Sequence, residues 1–446
     1  MKNIDAVIEK HRELIFEAER HIWKTPETGF REVRTSAYMA EKFRELGYEP
    51  IMAGDIPGFF VDVRTEREGP TVLVLAELDS VICSEHKDAD TETGAVHACG
   101  HHAQCAAMLG VAAALRDEEI LSSLSGVIRL CCVPAEECLE LEYRSELRDR
   151  GVIKYLGGKS EFLSRGYFDG VDMAFMVHTG NGKGLGVQVG CDSAFLAKTV
   201  VYKGVSAHAG CAAHLGRNAL YAATAGLNAV NALRETFKDE DKIRWHPIIT
   251  HGGDIVNNIP GEVVIESQIR SASYDALREE NKKIDRALIG AAISFGVEIE
   301  IHDEPGYAPL KNCEELAMVA RDAFLEIAPE KPCNVWGGVG SGATDMGDLS
   351  MLMPVIHPYI GGSAGLGHGA DYAIVDSELA CVINAKLQVA TLKLLLEGGA
   401  ERAKKIISGY EPQFKTKEEF LKTKDEMRRC EMRVIYSENG RIKIVD

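Results

Sequence analysis

Residues 71–80 read TVLVLAELDS, and this stretch decides the fold class. Its first part is a continuous apolar run rather than an alternating one, which is typical of a strand buried on both faces. Two later runs, at 126–133 and 171–177, have the same character. Apolar residues recur at helical spacing around these runs, over 4–22, 36–46 and 103–115. The alternation predicts an α/β fold with a mostly parallel central sheet and helices on both faces.

The pattern of predicted strands and helices changes near residue 190, where a second set of elements begins. Strands and helices are predicted in alternation at 196–203, 217–236, 263–270, 276–295 and 297–301. This β-α-β-α-β order indicates an α+β unit of ferredoxin-like type that is inserted into the larger domain. Helical spacing like that of the first part returns at 313–327 and 376–397.

We therefore predict two domains, as expected for a chain of 446 residues. A discontinuous larger domain takes residues 1–190 and 305–446, and the inserted domain takes residues 191–304. Near the C-terminus, Asn439 and Gly440 separate two apolar runs, which predicts a two-residue hairpin turn.

Composition and charge exclude several classes of function. The formal net charge is −18 without a dense block of Lys and Arg, so nucleic acid is not an expected partner. The run at 106–115 is too short to cross a bilayer, so no membrane is expected, and the charged N-terminus does not resemble a signal peptide. The twelve cysteines follow no framework spacing, which indicates reduced thiols and predicts a cytoplasmic location.

Side chains of the types that bind metal ions follow the predicted strands. Directly after apolar runs come Glu77, Asp79, Glu136, Glu137 and His178. Ligands bind at the carboxyl ends of strands in open α/β sheets, so these side chains are expected to converge. A lone histidine or a pair of glutamates is more often an ordinary surface feature. Adjacent carboxylates at the end of a buried strand are, however, costly to bury without a cation.

A loop and a late segment add further candidate ligands. Residues 97–105 read HACGHHAQC and contribute Cys99 and His101, and the later stretch GLGHGADY contributes His368. A thiolate combined with imidazoles and carboxylates suits zinc or a similar borderline ion. The Gly-rich stretch GGVGSGATDMGDLS is not a phosphate loop, because it lacks the GxxxxGK[ST] pattern.

These motifs, taken in order, resemble those of the M20 metallopeptidase clan. The stretches that carry the resemblance are PETGFRE, LAELDSV, HACGHHAQCAAMLG, PAEE, MVH, GVSAHAG, HLGRNAL, NNIP and SGATDMGDLS. They are most similar to the amidohydrolase branch, which includes aminobenzoyl-glutamate, hippurate and auxin-conjugate hydrolases. The resemblance covers nearly the whole chain except about the last 40 residues.

The resemblance implies a centre of two divalent metal ions, zinc or manganese. Its implied ligands are Cys99, which bridges the ions, and His101, Glu137, His178 and His368. Glu136 is implied to be the general base, and Asp79 orients a group bound to a metal.

The resemblance also assigns roles to residues of the inserted domain. His208 is implied to reach the active site of a partner subunit, and Asn257 and Arg270 to hold a substrate carboxylate. The expected assembly is therefore a homodimer, in which the inserted domain serves as lid and interface.

The sequence departs from the family pattern at three positions near the expected centre. His102 replaces an aspartate, Gln104 replaces a histidine, and Glu77 replaces another aspartate. Neither His102 nor Gln104 matches a family ligand, so the metal ions are expected to be retained, although His102 is itself an alternative ligand. His97, His102 and Cys105 are otherwise expected to support and pack the site.

The expected function is hydrolysis of the amide bond of an N-acyl or N-aroyl amino acid or a dipeptide, in the manner of aminoacylases and carboxypeptidases. Two alternatives stay open: an aminohydrolase that releases ammonia from an aromatic acid, and a metal-free binding or regulatory relative. Arg144, in LELEYRSELRDR, is either a further positive group for the substrate or part of a solvated helix.

Overall fold

The structure is a computed structural model that describes residues 2–436 and 441–445. The chain divides into two compact units. Unit 1 comprises Met1–Cys191, Leu310–Gly338 and Thr344–Lys417, and unit 2 comprises Asp192–Pro309, Val339–Ala343 and Glu418–Asp446.

The elements alternate along the chain as the apolar runs predict. The strands are β1 Ile51–Met52, β2 Phe59–Arg64, β3 Thr71–Glu77, β4 Val81–Ile82, β5 Ala95–Val96, β6 Val127–Val133, β7 Met173–Phe175, β8 His178–Asn181, β9 Leu185–Gln188, β10 Ala194–Lys203, β11 Ala207–His208, β12 Arg244–His251, β13 Asn258–Ile259, β14 Glu262–Ser271, β15 Glu298–Pro305, β16 Cys333–Trp336, β17 Val355–Ile356, β18 Tyr359–Ala364, β19 Ala373–Ile374, β20 Arg429–Tyr436 and β21 Ile442–Ile444. The α-helices are α1 Lys2–Lys10, α2 Arg12–Trp23, α3 Val33–Glu45, α4 His101–Ala114, α5 Glu118–Ser123, α6 Leu141–Asp149, α7 Gly158–Ser164, α8 Ala219–Leu233, α9 Tyr274–Phe295, α10 Glu314–Ile327, α11 Met346–Ser350, α12 Asn384–Leu396, α13 Glu401–Gly409 and α14 Lys417–Met427.

The central sheet of unit 1 has the order β1-β2-β6-β3-β7-β17. The neighbours β6, β3, β7 and β17 pair in parallel, whereas β1 and β2 are antiparallel at one edge. Strand β3 is buried along almost its whole length, on both faces. Successive side chains of a strand point to opposite faces, so both faces of the sheet are covered. This confirms the predicted α/β class.

The core of unit 1 is built around helix α4. All fourteen residues of α4 are buried, and it packs against α2, α12 and β3. A helix that is apolar all round belongs inside a core, which explains why the run at 103–115 has no polar face. The helix begins at His101, so the core element also fixes the residues at its N-terminus.

Unit 2 has a ferredoxin-like core. Its elements follow the order β10-α8-β12-β14-α9-β15, and the sheet order is β12-β14-β10-β15 with antiparallel neighbours. Helices α8 and α9 pack on one face of this sheet. The predicted β-α-β-α-β set lacked β12, whose exposed isoleucines and internal Pro247 weaken its strand pattern.

The C-terminal segment lies in unit 2, whereas the predicted boundaries placed it in the larger domain. Strand β20 pairs with β15 and extends the sheet. A buried charge group explains the attachment: Lys198 donates to Asp285 and Asp303, and Arg429 of β20 donates to Asp303 at 2.7 Å. The predicted turn at Asn439 and Gly440 falls outside the described residues, although β20 and β21 on either side of it pair antiparallel.

Two other helices differ from the sequence expectation. The helix predicted over 4–22 is broken into α1 and α2 at His11. The helix predicted over 376–397 begins with a π-helical turn, Glu378–Ile383, before α12. By length and composition Glu378–Leu396 is apolar enough to span a membrane, but 83% of its most apolar window is buried inside the protein. It is therefore a core helix of unit 1.

Candidate metal centre and active site

The carboxyl ends of the central strands bring two groups of ligand atoms together in unit 1. One group consists of Cys99, His101 and His178, and the other of Cys99, Glu137 and His368. Within each group the ligand atoms lie within 4.8 Å of one another, and Cys99 belongs to both. The five residues that the family resemblance named as ligands thus converge around one thiol.

The backbone at Gly100 allows Cys99 and His101 to face the same point. Gly100 has φ 90°, and a Cβ atom there would lie 2.5 Å from the Tyr372 hydroxyl. Only glycine fits both the left-handed conformation and the close approach. This turn ends the loop and starts α4, which places the imidazole of His101 at the buried start of the helix.

Hydrogen bonds fix the tautomers of two of the imidazoles. Nδ1 of His101 lies 2.9 Å from the Asp79 carbonyl oxygen and 3.1 Å from Asp79 Oδ1, and Nδ1 of His178 lies 2.7 Å from the Thr179 carbonyl oxygen. Since these partners are acceptors, Nδ1 carries the proton in both rings. When the ring is neutral, as metal binding requires, Nε2 then carries the lone pair that binds the ion.

The donor set fits a pair of divalent ions. Nε2 of His178 lies 3.5 Å from Cys99 Sγ, close to the separation of about 3.5 Å expected for two ligands of one tetrahedral zinc ion. Nε2 of His101 is buried without a hydrogen bond to any described residue, although Glu77 Oε2 is 3.1 Å away. Burial raises the pKa of the Cys99 thiol well above its usual value, and Glu137 raises it further. A cation is what would stabilise a thiolate here.

The adjacent glutamates are held in different electrostatic environments. Burial raises the pKa of Glu136 well above its usual value, and the charges of Glu77 and Glu137 raise it further. Burial also acts on Glu137, but the hydrogen bond from His368, at 3.0 Å, and the charge of His101 outweigh it and lower its pKa. When the pKa values of two neighbouring carboxyls differ in this way, one typically accepts protons and the other stays charged.

Asp79 connects the two halves of the centre. Its Oδ1 faces His101, and its Oδ2 accepts a hydrogen bond of 2.8 Å from the backbone N–H of Glu137. The carboxylate therefore sets the orientation of one imidazole and of the loop that carries the glutamates.

A buried lysine beneath the centre was not found from the sequence. Nζ of Lys159 donates to Glu77 Oε1 at 2.6 Å and to Asp345, and all three side chains are almost fully buried. Glu77 also contacts Gln104, whose Nε2 donates to Glu77 Oε2 at 3.0 Å. The two departures from the family pattern, at Glu77 and Gln104, thus contact each other. The signal in the sequence was a lone lysine within LGGKSEFL, which by itself is typical of a surface residue.

The alternative that His102 binds a metal ion finds no support among the described residues. His102 belongs to neither ligand group; its ring lies 4.9 Å from Trp23, and its Nε2 lies 3.4 Å from Glu19 Oε1. His97 is packed beside it, with ring centroids 5.4 Å apart, and Cys105 donates to the Glu77 carbonyl oxygen at 3.1 Å. All three side chains are buried and packed among neighbouring residues.

Both interpretations offered for Arg144 are wrong. The side chain is fully buried, so it belongs to neither a solvated helix nor a substrate surface. From helix α6 its guanidinium donates to the carbonyl oxygens of Ala135, Glu137 and Leu156. Ala135 has φ 57°, a strained value for a residue with a side chain. Arg144 therefore holds the strained loop that carries Glu136 and Glu137.

Glu32 holds the same loop from another side. It lies in the PETGFRE motif, is fully buried, and its Oε1 accepts a hydrogen bond of 2.7 Å from the Ala135 N–H. The motif containing Glu32 was recognised in the sequence, but no role was assigned to it.

His357 is a further buried imidazole. Its ring lies 5.4 Å from that of His178, and it makes no hydrogen bond to any described residue.

Within unit 2, His208 and Asn257 are neighbours. The N–H of Ala209 donates to the Asn257 carbonyl oxygen at 2.8 Å, and β11 pairs with β13. Nδ1 of His208 accepts hydrogen bonds from the N–H groups of Gly210 and Cys211, at 3.1 and 3.3 Å. The ring proton is therefore on Nε2, which leaves His208 as an exposed hydrogen-bond donor.

Arg270 lies beside a second arginine that sequence reasoning missed. Arg244 of β12 is directly opposite Arg270 of β14 in the sheet register. Burial lowers the pKa of Arg270, and the charge of Arg244 lowers it further. Two like charges on opposite strands are unfavourable unless an anion lies between them, so the pair is suited to binding a carboxylate.

Comparison with known proteins identifies the family of this chain. A family model described as "Peptidase family M20/M25/M40" matches residues 73–391. The chain belongs to peptidase family M20/M25/M40. As a member of the M20 family it is a hydrolase that acts on amide bonds.

The sequence identities to individual relatives are modest. The chain is 28% identical over 320 residues to N-acetyl-L-cysteine deacetylase of Bacillus subtilis, a match that covers 68% of this chain and 70% of the relative. It is 25% identical over 330 residues to indole-3-acetyl-aspartic acid hydrolase of Enterobacter agglomerans, covering 62% of this chain and 70% of the relative. A solved M20 structure, a dinuclear metal binding peptidase from Bacillus subtilis, superposes with a TM-score of 0.68 at 18% identity and covers 87% of this chain and 99% of that one.

Proposed function

We propose that this M20 hydrolase cleaves the amide bond of an N-acyl or N-aroyl amino acid or of a dipeptide, with Glu136 as general base. The observation that carries the proposal is the pair of ligand groups that share Cys99, with Glu136 beside them. The ligand atoms of Glu77, His101 and Glu136 also lie within 4.8 Å of one another. In a metal-free relative, burying these charged groups together would carry a desolvation cost that no bound cation offsets.

Two divalent ions, zinc or manganese, would be held by Cys99, His101, Glu137, His178 and His368. When bound, they would supply the positive charge that polarises an amide carbonyl and acidifies a water molecule. The mixed thiolate, imidazole and carboxylate set supports a borderline ion.

Glu136 moves the proton. The buried carboxylate accepts a proton from the attacking water and passes it to the nitrogen of the leaving amine. The raised pKa of Glu136 supports this role, because burial makes its carboxylate a stronger base that holds the proton until it is delivered. Asp79 keeps His101 in the tautomer that leaves Nε2 free.

His208 of the partner subunit would complete the active site by donating a hydrogen bond from Nε2 to the developing oxyanion. The protein would then be a homodimer, with unit 2 as lid and interface. Strand β12 lies at an edge of the sheet of unit 2, and several apolar side chains near it are exposed: Tyr221, Ile248, Ile249, Ile255 and Val256. An exposed apolar edge strand supports pairing with a second copy.

Arg270, with Asn257 nearby in the chain, would hold the carboxylate of the amino acid product. The pairing with Arg244 supports a substrate that carries negative charge at this end. All twelve cysteines are free thiols, which supports a cytoplasmic location.

Substitution of Glu136 by Gln tests the proposal. We expect kcat to fall by about two to four orders of magnitude, the usual contribution of general acid–base catalysis. Metal content, measured by plasma mass spectrometry, is expected to stay at the wild-type value. The products of a panel of N-acyl and N-aroyl amino acids are assayed for free amino acid and for ammonia. Unchanged turnover in the variant, or release of ammonia rather than an amino acid, would contradict the assignment.

A further inference from the structure

Unit 2 carries a second group of metal-binding side chains on the face of its sheet away from α8 and α9. Glu300 and His302 are two residues apart on β15, so their side chains lie on the same face. Cys430 on β20 is directly opposite His302 in the register. The carboxylate, imidazole and thiol therefore meet across two neighbouring strands, and their ligand atoms lie within 4.8 Å of one another.

The spacing of the three ligand atoms matches that of a small metal site. Nε2 of His302 is 3.0 Å from Glu300 Oε1 and 3.7 Å from Cys430 Sγ, and Sγ is 3.7 Å from Oε1. Bonds to tetrahedral zinc of about 2.0–2.3 Å would place neighbouring ligand atoms about 3.4–3.6 Å apart. An ion would therefore fit after shifts of a few tenths of an ångström.

The carboxylate is already oriented for this role. Nζ of Lys203, on β10, lies 2.5 Å from Glu300 Oε2, and Oε1 is left facing His302 and Cys430. Lys203 also lies 4.0 Å from Sδ of Met432, which is opposite Glu300 in the register. Outer groups that hold a ligand in one orientation are typical of metal sites and raise their affinity.

Exposure leaves room for a solvent ligand. The side chain of His302 is 40% exposed, that of Glu300 is 21% exposed, and Cys430 is exposed. An ordinary surface ion pair would need only Glu300 with Lys203 or His302. The thiol opposite His302 adds a soft ligand that an ion pair does not use.

We propose that Glu300, His302 and Cys430 form a metal site in unit 2 that binds a single zinc-like divalent ion. The ion would link β15 to β20 and so fasten the C-terminal segment to the rest of the unit. This inference does not depend on the proposed amidohydrolase activity, because none of its ligands belongs to the catalytic centre of unit 1.

Cobalt binding tests the proposal with a spectroscopic signal. The full chain, without an affinity tag, is stripped with a chelator and titrated with Co²⁺, and the sulfur-to-cobalt charge-transfer absorption is recorded. A Cys99→Ser background removes the thiol of the catalytic centre. We expect the band to persist in this background and to disappear when Cys430→Ser is added. The metal content of Cys430→Ser alone is expected to fall by one ion per chain.

Two further variants keep the test decisive. Cys211→Ser, which removes the other exposed cysteine of unit 2, is the matched control and should leave both signals unchanged. His302→Asn should weaken the band while leaving the thiol in place. A band that survives Cys430→Ser in the Cys99→Ser background would overturn the proposal. So would equal metal stoichiometry in wild type and Cys430→Ser.

Discussion

The buried ammonium group of Lys159 controls the pKa of Glu77 beside the candidate metal centre. Burial alone would raise the pKa of Glu77, but the charges of Lys159 and then His101 outweigh it and hold the pKa below its usual value. A carboxyl whose pKa is lowered in the folded state stabilises the protein at pH values above its unfolded-state pKa, which is about 4.3 for Glu. This contribution to stability is lost as the pH falls through the folded-state pKa. The stability that Lys159 supplies through Glu77 is therefore fully present at neutral pH.

Removal of this ammonium should destabilise unit 1 in a pH-dependent way. In Lys159→Met, Glu77 and Asp345 become buried carboxylates without their cation, which is expected to cost about 3–5 kcal/mol. The loss should be larger at pH 8 than at pH 5, because burial then raises the pKa of the carboxyls and protonation relieves the penalty at acid pH. Urea unfolding with chelator present measures it, and the exposed Lys183→Met is the control. An equal loss at both pH values would contradict the argument.

At the level of elements, helix α6 has a role that its charged sequence hides. The segment LEYRSELRD has an almost entirely polar appearance, yet Arg144 points inward and ties the helix to the loop of Glu136 and Glu137. Thr28 and Arg31, from the PETGFRE region, contact Glu140 at the start of this helix. The helix is therefore a brace for the loop that carries Glu136 and Glu137.

Arg144→Met should loosen that loop. Three buried carbonyl oxygens would lose a donor, but those of Ala135 and Glu137 keep the N–H groups of Gly158 and Leu139. The cost of about 1–3 kcal/mol for an unpaired acceptor therefore falls mainly on Leu156. We expect a lower Tm and a fall in kcat, with a smaller change in KM because no substrate contact is removed. Arg144→Lys should not restore activity, since a single ammonium cannot span the three acceptors in the way a planar guanidinium does. The control is Arg150→Met, an exposed arginine just after the same helix. Calorimetry and steady-state kinetics provide the comparison, and wild-type kcat in Arg144→Met would refute the brace.

At the scale of the whole molecule, residues from two chains would form one active site. Glu136 would act in one protomer, while His208 would reach it from the other. Each chain would then contribute to two active sites. Its unit 1 would provide Glu136 to its own site, and its unit 2 would provide His208 to the site of the other chain. The edge strand β12 and the exposed apolar residues near it are consistent with such an assembly.

Mixing two inactive variants tests this arrangement. Glu136→Gln and His208→Ala should each be nearly inactive alone. After random exchange of protomers, half of the dimers are mixed and each has one intact site, so about one quarter of the wild-type activity should return. Replacing the second partner by the double variant Glu136→Gln/His208→Ala should abolish the recovery. Absence of recovery after proven exchange would place His208 in the site of its own chain or outside catalysis.

The positions of the central strands of unit 1 and of the candidate metal ligands near them could be predicted from the sequence. A continuous apolar run such as 71–76 has few alternatives to a buried strand, and its end fixes where Glu77 and Asp79 lie. The motif around Cys99 and His101 carries its own spacing, since Gly100 and the start of α4 determine the local turn. These features depend on neighbouring residues, so local pattern is sufficient to find them.

Only the tertiary structure revealed Lys159, Arg144, Arg244 and the tail strand β20. Each was ambiguous in sequence, because a lysine or arginine in a polar segment is usually solvated and a short C-terminal strand has no fixed partner. Their environment is created by residues far away in the chain: Asp345 for Lys159, Leu156 and the Glu137 loop for Arg144, β14 for Arg244, and β15 for β20. Local preference thus determined the elements and the ligand motifs, whereas long-range burial and charge pairing decided which polar side chains turn inward.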